Sequence, residues 1–513
     1  MFLLLGLSCY MYPGLQQDEA LFARPLFAHV PGYFDWFNGR IPVMLMSYLG
    51  CLKTWLYAPL LRAFTPSLEL IRIPAILLTA FTVGLTVRLA DLIGGRVTAL
   101  CAGALLATDA TYILTSTFDW GPVVLQHLLF ALTALFLIRF AITRRTTLLA
   151  SGAFAAGLAT WDKALNVWIL SACAMALLAV FPKEIFRLLS AKRMGIAVVA
   201  FLIGSAPLVF YNWKAPAGQG TFAGKGREPL SGFPHKALIL ARTFDGSSLF
   251  GYLVNDEWVR PERPPRTMLE KASVQLRIWA GNQRRNGFGV LFLVALAVSP
   301  FVLRGRFLRP GLALLLAGVI CWLEMAFTKD AGGSAHHAVL LWPLPQLFVG
   351  LAMAATCVRF RHAGLVVSVV VGMAVLMNLA NFNQYLSQFI RFGSPGPWND
   401  SVNRLAQRAS TYPNAPLAVY DWGLSNPVLV LNAGRVRVLE VAPVPNSLPA
   451  VAVSPVPGAG VIWAAWTEGH EMMPGANSRA LEAARSAGLS KIVIDTVRDR
   501  YGRDMIEIFR YKK

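Results

Sequence analysis

The sequence predicts an all-α polytopic membrane protein that ends in a small α/β domain. Three observations carry that prediction. Apolar residues come in long runs: 56% of the 513 residues are hydrophobic, 14% are charged and mean hydropathy is +0.52, against roughly 45–50% apolar and about 25% charged in soluble chains. Basic residues fall on alternate connections between the runs. Beyond residue 381 the pattern changes to short β-branched and aromatic stretches separated by turn residues.

A membrane helix needs about 20 mostly apolar residues. Eleven segments meet or approach that length: 1–12, 71–90, 97–114, 121–140, 147–163, 164–181, 194–212, 287–303, 311–328, 337–357 and 363–381. The first is too short to cross unaided. It also lacks the basic start and small-residue cleavage site of a signal peptide, so it reads as a first span with a truncated or misassigned start. With the N-terminus cytoplasmic, connections 88–96, 139–147, 182–193, 304–309 and 358–362 lie inside and hold fourteen Lys and Arg. The short connections opposite hold only Lys163 and Lys329, a bias that sets the orientation. The same bias accounts for the net charge of +20 without nucleic acid as a partner.

Residues 13–70, 213–286 and 382–513 are then extracytoplasmic. The predicted division is a transmembrane catalytic domain, 1–381, with outer loops 13–70 and 213–286, followed by an α/β domain, 382–513. Within the first loop, 43–61 is apolar and amphipathic and predicts interfacial helices. In the tail, Leu417–Tyr420, Val436–Val441, Val461–Ala465, Lys491–Asp495 and Met505–Tyr511 predict strands and Asn477–Ala487 a helix. The six cysteines form no CxxC or His/Cys ligand spacing, so neither a disulfide framework nor a zinc site is indicated. No GxGxxG and no fixed-period repeat is present.

Ionisable residues embedded in apolar sequence are rare and usually functional. Here they are Asp18, Glu19, Lys53, Arg72, Asp109, Asp119, Asp162, Lys163, Glu324, Lys329, Asp330, His336 and His337. Nearly all fall at outer span ends or in outer loops, which predicts a site at the outer membrane–water interface. Asp18 and Glu19 follow the first span. Adjacent side chains on a helix diverge by about 100°, so one of the pair faces a substrate, and Asp18 is the candidate base. Each residue also has a structural reading. Carboxylates favour helix starts, Lys53 and Arg72 can snorkel to headgroups, Asp162 and Lys163 can pair, the His pair can cap a turn, and Asp119 can cap the next span.

The pattern resembles the GT-C glycosyltransferases. An acidic pair after the first span resembles their first outer loop, and Ser47–Lys53 its Lys-bearing segment. Leu70-Ile71-Arg72-Ile73-Pro74 resembles the R-x-P start of the second span. Gly157–Lys163 resembles the end of a middle span, and His336-His337 followed by Trp342-Pro343 a late-span motif of family 39-like members. The similarity covers roughly residues 10–380, toward the protein mannosyltransferase and aminoarabinose transferase-like group.

The resemblance implies a sugar donor on polyprenyl phosphate. It also implies an envelope lipid, glycan or protein hydroxyl as acceptor, and inverting transfer at the outer face of a bacterial cytoplasmic membrane. Asp18, with Glu19 beside it, would supply the catalytic carboxylate. Lys53, Arg72, Lys163, His336 and His337 would bind the donor phosphate, with Asp119 and Tyr48 near the acceptor. No cofactor is demanded, and a divalent ion on Asp18 or Glu19 is compatible with a phosphate donor. Two departures stand out: loop 213–286 is too short for a β-trefoil insertion, and Gly50-Cys51-Leu52-Lys53 stands where aminoarabinose transferases carry Lys-Pro-Pro, so their donor sugar is not carried over. The rival reading, a secondary transporter or lipid flippase, calls for midplane charges or discontinuous helices in matched repeats.

Overall fold

The computed structural model describes all residues except 29–33, 37–40, 217, 222, 224–225, 413–414, 442–459 and 513. Each of the eleven apolar segments is helical: α1 (Phe2–Cys9), α4 (Leu68–Gly94), α5 (Arg96–Thr108) with α6 (Ala110–Phe118), α7 (Val124–Thr143), α8 (Thr146–Asp162), α9 (Asn166–Val180), α11 (Ala191–Lys214), α14 (Phe288–Val302), α15 (Leu308–Phe327), α16 (Ala335–Ala338) with α17 (Leu344–Arg359), and α18 (Ala363–Arg391). Among the described residues, five helices are long and apolar enough to cross a membrane alone, and up to eight if bent pairs count as one span. The chain is a multi-pass membrane protein.

Local sequence explains the helix ends. Ser67 accepts a hydrogen bond from the Leu70 amide to cap α4, which stops at Gly95 in the left-handed region, φ 84°. The helices α8 and α11 cross closely, because a Cβ on Gly157 would sit 2.2 Å from the Phe201 carbonyl oxygen, the small-residue contact common between membrane helices.

Two breaks were not predicted. The axis turns by 59° between α5 and α6, at Asp109, and by 40° between α16 and α17, at Trp342-Pro343. One carboxylate ties both together. Asp109 Oδ1 accepts the Tyr112 amide at 2.9 Å, and Oδ2 accepts Trp342 Nε1 at 3.1 Å. Broken helices at membrane depth are tolerated where neighbouring groups satisfy the freed polar atoms.

The first loop is only partly the predicted interfacial helices. Residues Ile41–Met46 form a strand, β2, between β1 (Phe34–Trp36) and β3 (Leu49–Gly50), and helix α3 covers only Leu52–Ala63. Val43, Met44 and Leu45 are all buried, and the Val43 carbonyl accepts both the Cys51 amide and Trp161 Nε1, each at 3.1 Å. Packing on both faces of a short apolar run outweighs its helical periodicity. The loop 213–286 carries two helices, α12 (Phe233–Phe244) and α13 (Met268–Ala280), the latter started by a Thr267/Glu270 capping box. The helix α18 runs ten residues beyond position 381.

In the tail all five strands and the helix form close to the predicted positions: β4 (Leu417–Val419), β5 (Val438–Glu440), β6 (Ile462–Trp466), β7 (Ser490–Arg498), β8 (Asp504–Lys512) and the helix Ala476–Ser486. The sheet order is β5-β4-β6-β8-β7. The strand β4 runs parallel to β5 and β6, while β8 is antiparallel to β6 and β7. Side chains alternate between two cores. Leu417, Val419 and Ile462 meet α19 (Ser401–Ala409) and α20 (Ser425–Leu431), whereas Ala418, Tyr420 and Trp463 meet the helix Ala476–Ser486.

Candidate active site

The acidic loop is anchored from two directions. Helix α2 (Gln17–Leu21) starts in a capping box: Gln16 Oε1 accepts the Asp18 and Glu19 amides at 2.6 and 3.0 Å, and Glu19 Oε2 accepts the Gln16 amide at 3.3 Å. From the tail, Asn426 donates its amide to Gln17 Oε1 and its side-chain NH₂ to the Gln17 carbonyl, both at 3.0 Å, while Gln17 Nε2 donates to Ser425 Oγ at 2.9 Å. The C-terminal region therefore holds the helix that carries the acids.

Asp18 and Glu19 have opposite surroundings. Glu19 turns inward to Arg72, which donates Nε to Oε1 at 2.6 Å and Nη2 to Oε2 at 2.7 Å. The remaining Arg72 donors go to the carbonyls of Tyr10, Pro13 and Gly14. All five guanidinium N–H groups are thus used inside the protein, and both residues are almost fully buried. Arg72 has no donor left for a phosphate, and Glu19 has both oxygens engaged. Asp18 instead lines a pocket with Lys53, Asp119, Pro122 and Asp162. Burial pushes its carboxyl above the usual range, opposed by the Gln16 side chain.

The pocket walls come from four separate segments. Lys53, in the first turn of α3, places Nζ 2.5 Å from Asp119 Oδ2 and 4.0 Å from the centre of the Phe22 ring. Asp119 follows α6 in the left-handed region, φ 43°, which turns its carboxylate back onto α7: Oδ1 accepts the amides of Val123 and Val124 at 2.7 and 3.0 Å. Asp119 is both cap and ion-pair partner. Asp162 ends α8 with Oδ2 on Gln126 Nε2 at 2.9 Å, and Lys163 next to it donates Nζ to the Gly121 carbonyl at 2.6 Å. A backbone bridge pairs Leu49 with Lys163, and the Tyr48 carbonyl accepts the Ala164 amide at 2.9 Å. The Tyr48 hydroxyl is held above its ordinary pKa by burial and by the nearby Asp18 and Asp330 charges.

His336 approaches from the far side of Gly121, where a Cβ would sit 2.3 Å from the imidazole. Its Nδ1 accepts Trp120 Nε1 at 3.1 Å. An indole N–H only donates, so the network puts the imidazole proton on Nε2 and makes that atom a donor. The His337 ring lies 4.2 Å from His336. Tyr252, from the second loop, packs on Trp120 and Trp398 with ring centres 6.1 and 6.3 Å apart. The sequence offered no signal for Tyr252. Asp162 was legible as an embedded acid, but was read as a partner for Lys163 rather than as pocket lining. Among the described residues, no group of three or more His, Cys, Asp or Glu is arranged to hold a metal ion. With Glu19 engaged, Asp18 is the carboxylate of the pair left for one.

No family model matches the chain, and no curated protein matches it in sequence. Solved structures do. The chain is similar to ArnT from Cupriavidus metallidurans bound to undecaprenyl phosphate, with 12% identity, 99% of this chain and 97% of that chain covered, and a TM-score of 0.58. The apo structure of the same ArnT gives 13%, 98%, 96% and 0.55. The fold is shared with ArnT, and it is the fold that the resemblance to GT-C glycosyltransferases led one to expect. At such identity the likeness is one of fold, and the roles of residues have to come from this chain's own side chains.

Proposed function

We propose that the chain is an integral membrane glycosyltransferase that moves a sugar from polyprenyl phosphate to an acceptor hydroxyl of an envelope lipid, glycan or protein. The observation that carries this reading is the meeting of Asp18 with Lys53, Asp119 and Asp162 in one pocket, on a fold shared with a protein solved with undecaprenyl phosphate. Asp18 takes the acceptor proton as the oxygen attacks the anomeric carbon. The phosphate leaves from the opposite face, so transfer inverts. A carboxylate with a raised pKa is a better proton acceptor than an ordinary one.

Lys53 and Lys163 supply positive charge for the leaving phosphate, and His336 Nε2 a neutral donor. Arg72 and Glu19 act one step back, holding the α2 segment so that Asp18 faces the pocket. We place catalysis on the extracytoplasmic side of a bacterial cytoplasmic membrane; the basic connections at the other ends of the spans support that side. We divide the chain into a transmembrane catalytic part, expected to end at 381 but carried by α18 to Arg391, and an extracytoplasmic α/β part from there to 513, whose role is to brace α2. Membrane lipids surround the first part.

The test is mass-resolved analysis of lipid-linked sugars and envelope glycans in cells lacking the gene, with wild type or Asp18→Asn added back. Accumulation of one prenyl-phosphate sugar and loss of one glycan residue, restored by wild type alone, is expected. Unchanged lipids and glycans under expressing conditions would refute the proposal.

A further inference from the structure

We propose that the outer end of α18 and the second loop form a binding pocket for a neutral saccharide, separate from the Asp18 pocket. A cavity of about 220 Å³ is lined by Asp256, Glu257, Trp258, Asn282, Arg284 and Gln388. Its chemistry suits a sugar ring. Trp258 is 77% exposed at the rim, presenting an indole face whose negative quadrupole attracts the weakly positive C–H face of a pyranose. Asn282 and Asp256 supply groups that pair with hydroxyls.

Gln388 is 2% exposed and lines the cavity, yet its Oε1 has no hydrogen-bond partner among the described residues. Gln384, one turn earlier, has an orphaned Oε1 too, while its Nε2 donates to Glu257 at 2.9 Å. Buried acceptors are nearly always satisfied in folded proteins, and a turn of the Gln388 amide into the cavity would offer this one to a ligand hydroxyl. The wall charges are already matched: Arg284 pairs with Asp256, and Arg277 places Nη2 2.6 Å from each Glu257 oxygen. A matched wall favours a neutral ligand over an ionic one.

One wall of the pocket is packed, and a short run of chain joins it to the site. Arg284 sits 4.6 Å from the Phe250 ring, which stacks on Tyr385 at 3.8 Å. Tyr252, against Trp120 beside His336, is four residues from Asp256, at most roughly 14 Å of chain. As the acceptor subsite of the proposed transferase, the pocket would hold a sugar ring of a glycan or glycolipid whose neighbouring hydroxyl reaches Asp18. That assignment rests on the transferase reading; the binding itself does not.

The test uses the full chain in lipid nanodiscs and saturation-transfer NMR with maltose, cellobiose and gentiobiose as probes. At least one probe is expected to give a signal that Trp258→Ala removes, Trp258→Phe restores and Asp18→Asn leaves unchanged. Silence from all three probes, or a signal indifferent to Trp258→Ala, overturns the pocket. In a transfer assay, Trp258→Ala is expected to raise acceptor KM about tenfold with kcat nearly unchanged. Binding lost in Trp258→Ala with no transfer by wild type would leave the pocket standing and defeat the transferase. Transfer with an unmoved acceptor KM would keep the transferase and overturn the pocket's role as its acceptor subsite.

Discussion

Arg72 with Glu19 and Lys53 with Asp119 are both buried ion pairs between the first outer loop and the helix bundle, and it is the second that lines the Asp18 pocket. The Arg72 guanidinium is planar and forked, and it meets two carboxylate oxygens and three carbonyls with nothing left over. The Lys53 ammonium has three donors and one carboxylate at 2.5 Å, over an aromatic face. A saturated pair can only hold structure. A pair with spare donors beside an open carboxylate can meet a substrate. Sequence position says nothing of this difference, because all four residues are charges embedded in apolar surroundings.

The largest effect should come from the carboxylate outside both pairs. Asp18→Asn is expected to lower transfer by roughly 10²- to 10⁴-fold, the usual worth of a general base, with the fold intact by circular dichroism. Its stability should not fall. Burial raises the Asp18 pKa in the folded state, so the native protein binds that proton more readily than the unfolded chain does. The ionised form therefore weakens the fold above the unfolded pKa, and that cost is relieved as pH falls through the raised folded value. Activity runs the other way, since the base must be ionised. Wild-type transfer should decline on acidification through that raised pKa while thermal stability from this group rises. A variant as active as wild type would break the comparison at its centre.

Arg72→Met tests the saturated pair. Removing one partner of a buried pair leaves an uncompensated charge and costs about 3–5 kcal/mol, here with three carbonyls orphaned as well. The expected readout is a large loss of Tm and yield. Glu19→Gln should fall in the same direction, because the amide cannot replace the second acceptor oxygen. Lys53→Met should reverse the balance. Asp119 keeps the Val123 and Val124 amides, so the stability loss is smaller, about 1–3 kcal/mol, while donor affinity and kcat fall together. If Arg72→Met kept its Tm and lost only activity, Arg72 would belong with the substrate-facing groups.

The helices and the tail sheet were legible because both write a clear period: long apolar runs, and alternation such as Leu417, Ala418 and Val419 across a sheet buried on both faces. The breaks at Asp109 and Trp342-Pro343 were not, because they depend on a contact between residues 233 positions apart. The strand at Ile41–Met46 was masked by a helical pattern, and its burial comes from α7, α8 and α11 around Val43 and Met44 and from the first loop around Leu45. The collection of acids and bases on one side was legible from span topology. Asp18 is preferred over Glu19 there, but that Arg72 is saturated while Lys53 is not was beyond the sequence, since that depends on the side-chain donor count at Arg72 and on the turn at Asp119.

The smallest effect separates contact from charge. Gly121 joins Lys163 and His336, the two groups proposed to face the phosphate: its carbonyl accepts Lys163 Nζ at 2.6 Å, and its Cα faces the His336 ring. In Gly121→Ala the new Cβ would lie 2.3 Å from His336 Cδ2, so the imidazole must move, and overpacking of this kind costs about 1–3 kcal/mol. No charge changes. If donor binding relies on His336 Nε2 being held in place by Trp120, KM for the lipid-phosphate donor should rise several-fold while the Asp18 pH profile stays where it was. Pairing the change with His336→Ala sharpens the reading, because the small side chain removes the clash. The double variant should then regain Tm over Gly121→Ala but not donor affinity. Recovery of affinity in the double variant would show that His336 merely fills space, leaving Lys53 and Lys163 as the cations that face the phosphate.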